Sequence, residues 1–171
     1  MTLVLLGLGA ALAGDVELGT RGGVAVPVGR SGSLPFGGVD LATAVSEQHT
    51  LGLEVSASAD RADPGWAPAV VWRGTLDRGR PLTPFLAAAL GFALAERPAA
   101  DGGNLARLAG RLAVGLEAAR PLGGDATLLV APAIGLVPGA FFGGGPFSVA
   151  APTAHLRVAV RWAAPGGTVR P

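Results

Sequence analysis

The chain has 171 residues, 13 basic against 12 acidic side chains for a net charge of +1, half of its residues apolar, 28 Gly, 14 Pro and no Cys. That length suits one domain with ample material for a core or a lipid-facing band; the balanced charge leaves no nucleic-acid footprint, and the missing thiols exclude disulfides, zinc–thiolate sites and Cys nucleophiles together. So much Gly and Pro argues against a helix bundle.

Residues Leu3 to Leu12 are apolar and small, and Ala11-Leu12-Ala13 has the A-x-A pattern that a signal peptidase accepts. Residues 1–13 therefore read as a signal peptide with the mature chain starting near Gly14; a buried first strand is the alternative, since a spanning helix needs about 20 residues. From there eight segments change character at every second residue, the period that places alternate side chains on opposite faces of a strand. In the first, Asp15 to Val26, the apolar Val16, Leu18, Val24 and Val26 oppose Glu17, Gly19, Arg21 and Gly23. In the second, Phe36 to Ser46, Val39, Leu41 and Val45 oppose Gly38, Asp40, Ala42 and Ala44. The third, Thr50 to Asp60, sets Leu51, Leu53, Val55, Ala57 and Ala59 against Gly52, Glu54, Ser56, Ser58 and Asp60. In the fourth, Trp66 to Asp77, Trp66, Val70, Trp72 and Leu76 oppose Arg73, Thr75 and Asp77. The fifth, Leu82 to Ala95, is almost wholly apolar, and Ala on both faces leaves its register open. The sixth, Arg107 to Ala119, opposes Leu108, Leu112, Val114 and Leu116 to Arg111, Gly115 and Glu117. The seventh, Ala126 to Val137, sets Leu128, Val130, Ile134 and Leu136 against Thr127, Ala131, Ala133 and Gly135. In the eighth, Pro152 to Trp162, Ala154, Leu156, Val158, Val160 and Trp162 face away from Thr153, His155, Arg157, Ala159 and Arg161.

The connections alternate in length. The even ones, SEQHT, DRGR and PLGGD, are tight, whereas residues 27–35, 96–104 and 138–151 form longer odd ones, with 61–65 short. Turns at one rim and loops at the other, joined by strands of about 9–11 residues, are the arrangement of a transmembrane barrel.

On these features, and on a last strand that ends in an aromatic residue, the chain resembles the small eight-stranded outer-membrane β-barrels of Gram-negative bacteria. The resemblance implies an all-β, antiparallel up-and-down transmembrane barrel over residues 14–163, a tail at 164–171, and a monomer in the outer membrane. Its partners would be membrane lipid, lipopolysaccharide and the barrel-assembly machinery. The alternate positions Leu156, Val158, Val160 and Trp162 match the family's assembly signal. The aromatic girdle is sparse: Tyr is absent, and Phe36, Trp66, Trp72, Phe85, Phe92 and Trp162 are its candidates.

A lumen of about eight strands is filled by side chains or holds one small ligand. The inward set comprises Glu17, Arg21, Asp40, Glu54, Arg73, Arg111, Glu117, His155, Arg157 and Arg161, a near balance of sign that predicts a neutralising network and a plugged interior. Neither His49 nor His155 has a convincing nucleophile partner, and no carboxylate pair or metal-ligand spacing stands out, so no enzyme, metal or cofactor is expected. In the last loop Phe141, Phe142 and Phe147 stand among glycines, either as a surface for a partner or lipopolysaccharide or as the outer end of strand seven. Two other folds stay open. Leu105, Leu108, Leu112 and Leu116 recur at helical spacing, and a soluble lipocalin-like barrel would turn the large apolar set inward around a small apolar ligand.

Overall fold

The computed structural model describes residues 14–26, 32–58, 65–76, 80–95, 106–137 and 151–163. Among them run eight strands: β1 (Val16–Ala25), β2 (Leu34–Ala44), β3 (His49–Ser58), β4 (Gly65–Thr75), β5 (Leu82–Ala95), β6 (Ala106–Gly123), β7 (Ala126–Val137) and β8 (Ala151–Trp162). Each pairs antiparallel with its neighbours in chain order, and β1 pairs with β8, so the sheet closes on itself without an open edge. The connections at one rim span 45–48, 76–81 and 124–125; those at the other span 26–33, 59–64, 96–105 and 138–150.

Alternation carries straight into the two faces of the wall. Large apolar side chains stand exposed on the outside of all eight strands, among them Leu18, Leu41, Val70, Leu90, Leu112, Ile134 and Leu156, with Leu53 64% exposed. Arg120, beside the β6–β7 hairpin, is the only Asp, Glu or Arg of outward parity among the described strand residues. Buried Glu17, Arg21, Asp40, Glu54, Arg73, Glu117 and Arg157 point the other way. Such a distribution inverts that of a water-soluble protein, whose charges are almost never buried unless paired. The large apolar set is therefore outside, not around an internal ligand as a lipocalin-like barrel requires.

The interior nevertheless has an apolar part. Phe85, Ala113, Ala131 and Ala133 form a buried cluster, Ala87 packs against it, and Leu129 is 0% exposed. Phe85 settles the register of β5: Thr83 and Phe85 turn inward, while Leu82, Leu86, Leu90 and Phe92 turn outward. The choice has a steric cause. Phe85 pairs directly with Gly115 on β6, and its ring lies 2.7 and 2.8 Å from where a Cβ would stand on that glycine, so the ring covers backbone that no side chain covers. Two aromatics assigned to an outer girdle thus belong to the lumen, because Phe36, too, shares inward parity with Asp40 and meets the ring of His155 edge-on at 6.2 Å. Trp72 and Trp162 remain outside near the tight-turn rim, with Trp72 stacked at a tilt on His49, 5.6 Å away.

Several boundaries also shift. β2 begins at Leu34 and ends at Ala44, and β3 already includes His49, which the Ser46 hydroxyl caps by accepting its backbone N–H at 3.1 Å. β6 runs on through Pro121, where the register with β7 slips between Pro121 and Gly123, a place at which proline's missing N–H is tolerated. The hairpin that follows is tight because Gly123 (φ 104°) and Gly124 (φ 58°) take left-handed backbone. The segment with helical leucine spacing is strand: positions 108, 112 and 116 are four apart, and any even spacing also keeps one face of a strand.

Candidate functional site

The registers that close the barrel bring like charges face to face. Arg21 on β1 stands opposite Arg157 on β8, and Asp40 on β2 stands opposite Glu54 on β3. Either pair alone would be destabilising. Bonds within the lumen resolve both: Arg21 donates to Glu54 through Nη1 at 3.2 Å and through Nη2, and Arg157 forks onto Asp40 through Nε at 3.0 Å and Nη2 at 2.5 Å. Arg111, from β6, adds a second parallel fork to Glu54, at 2.9 and 2.8 Å.

Glu17 is the hub of the remainder. Its side chain has no solvent exposure and accepts from Arg161 at 2.9 and 2.7 Å, from Arg157 at 3.2 Å, and from Arg73. Glu117 shares two of these cations, accepting from Arg161 at 3.4 Å and lying 3.0 Å from Arg73 Nη1 without a hydrogen bond's alignment. The ties therefore run from β1 to β3, β4 and β8, and from β6 to the same three strands. Carboxylates so placed can be removed from water because several N–H groups replace the lost hydration, whereas an unmatched buried ion costs several kcal/mol.

One glycine makes the crossing fit. A Cβ on Gly19 would lie 2.7 Å from Asp40 Oδ1 and 2.9 Å from Arg157 Nη2, so the Asp40–Arg157 pair occupies the volume that any other residue would need. Gly19→Ala is expected to cost about 1–3 kcal/mol by overpacking. Urea unfolding followed by tryptophan fluorescence checks it, with Gly22→Ala as control, since nothing lies within 4 Å of a Cβ there. Equal midpoints for the two variants would remove the role given to Gly19.

Of the ten side chains read as inward, nine thus meet in two groups, Arg21, Glu54 and Arg111 in one and Glu17, Asp40, Arg73, Glu117, Arg157 and Arg161 in the other. His155 stands apart, half-buried against Phe36, with its Nδ1 unpartnered among the described residues. A cavity of about 40 Å³ runs between these groups and the apolar cluster, lined by Arg21, Asp40, Arg73, Arg111, His155 and Arg157 beside Phe85. On β8, Leu156 and Trp162 are exposed on the outside and Val158 and Val160 share their parity. Phe141, Phe142 and Phe147, the segment 1–13 and the tail 164–171 lie outside the described residues. The parity reading left out Leu129 and put Gly19 on the inward face without a role: an inward leucine has the same residue type as its outward neighbours, and only the packing reveals a glycine that serves as a spacer. Among the described residues no group of three or more His, Asp or Glu is placed to hold a metal ion.

A closed eight-stranded antiparallel barrel with an apolar exterior and a charged interior is the fold of the small outer-membrane barrels. Neisserial surface protein A superposes with a TM-score of 0.56 at 11% identity, over 87% of this chain and 96% of that one. A de novo designed transmembrane β-barrel gives 0.51 at 10% identity, over 87% and 94%. Ail of Yersinia pestis follows at 0.42 and 9% identity, over 87% and 99%. No protein-family model and no curated protein matches the chain in sequence.

Proposed function

We propose that the chain resides in the outer membrane as a barrel with a plugged lumen, acting in a structural or surface-interaction role and not as a channel or an enzyme. The observation that carries this reading is the reversal of polarity. The outside of every strand presents large apolar side chains, and the inside holds four carboxylates, each engaged by at least one arginine. Lipid is the medium that accepts such an exterior, and ion pairs that cross between strands support a lumen filled by side chains. Membrane lipid and lipopolysaccharide are the proposed surroundings, and the outward face of β8 is the proposed contact for the assembly machinery.

Planar-bilayer recordings of the refolded protein test the plug: a flat baseline is expected at moderate voltage, and stable single-channel steps would defeat it.

A further inference from the structure

The arginines of the lumen are not evenly matched. Arg21 and Arg111 both fork onto Glu54, so this group has two guanidinium charges and one carboxylate. The nearest other acid, Asp40, is already taken by Arg157 through three contacts. The cavity of about 40 Å³ lies against this excess: Arg21, Arg73, Arg111 and Arg157 all line it, with Asp40 as the one carboxylate. Three buried donors on these same residues, Arg21 Nε, Arg73 Nε and Arg157 Nη1, have no acceptor among the described residues. Arginine cannot accept a hydrogen bond or shed its proton, so each such N–H calls for an acceptor brought in from outside. Water fits, since a site for it needs only about 10–15 Å³, but water satisfies donors without neutralising charge.

We propose that this cavity binds one small monovalent anion, a halide such as chloride, held by the unpartnered N–H groups of the lumen arginines. The size admits a halide or another small anion and is too small for a sugar acid. The inference goes beyond the plugged-lumen reading and is tested apart from it, because it concerns an equilibrium site and not conduction.

The test uses the full-length refolded barrel in a zwitterionic detergent, with sodium chloride exchanged for sodium gluconate at constant ionic strength. Raising chloride about a hundredfold is expected to slow urea unfolding saturably, by roughly tenfold, as for any ligand bound only by the folded state. Arg111→Gln, which leaves Glu54 and Arg21 one to one, is expected to lose this chloride dependence. Crystals soaked in sodium bromide are expected to show an anomalous peak within hydrogen-bonding distance of Arg21 or Arg157. Equal unfolding rates in chloride and gluconate overturn the proposal, as does an undiminished chloride response in Arg111→Gln. Bromide peaks at the surface alone mean an adventitious ion only and overturn it as well. Should Arg111→Gln not fold, the two wild-type readouts decide.

Discussion

Glu17→Ala is expected to lower the unfolding free energy by about 3–5 kcal/mol, the loss that follows when one partner of a buried ion network is removed and the others remain. Three guanidinium groups converge on this carboxylate, from Arg73, Arg157 and Arg161, and its side chain is fully buried. Without it Arg161 keeps only the 3.4 Å contact to Glu117, and Arg73 keeps only its misaligned approach to the same acid. Glu17→Gln preserves the shape but not the charge, and should fall nearly as far. Equilibrium urea unfolding in lipid vesicles measures both, and a loss below about 1 kcal/mol for each would remove Glu17 from the centre of the network.

Leu53→Arg is expected to cost about 2–4 kcal/mol in a bilayer, the penalty for arginine on the lipid face near the midplane. Leu53 lies in the middle of β3 and points outward, whereas Leu76, 75% exposed, follows the end of β4 at the tight-turn rim. Leu76→Arg should therefore cost only about 0–1 kcal/mol, because the interface hydrates the charge. The pair discriminates between media: in water both sites are exposed, and both changes would stay within about 0.5 kcal/mol. Equal, small effects in vesicles would sink the assignment of this face to lipid.

The pattern of the wall was readable along the chain because charge marks one face and Leu or Val the other, as in β3, where Leu51, Leu53 and Val55 oppose Glu54. β5 resisted that reading. Alanine at 87, 88, 89 and 93 gives its faces no contrast, and Phe85 goes inward because of Gly115 on the neighbouring strand, a relation between residues 30 apart. Phe36, Phe85 and Leu129 show the general difficulty: an apolar side chain fits lipid and the lumen equally by type, so register alone separates them. Which arginine meets which acid was equally hidden. Arg157 and Asp40 lie 117 positions apart, and a ring of strands brings them together only through its closure.

That closure couples the pairing of the first and eighth strands to the balance of charge. β8, the strand that closes the ring, supplies Arg157 and Arg161, the first being the partner of Asp40 and both being ligands of Glu17. A seven-stranded sheet would hold Asp40 without its fork and Glu17 with Arg73 alone among these cations. The last strand is thus an electrostatic latch: docking it against β1 shuts the wall and discharges the acids behind it in a single event, so a barrel left ajar is marked by its own uncompensated interior.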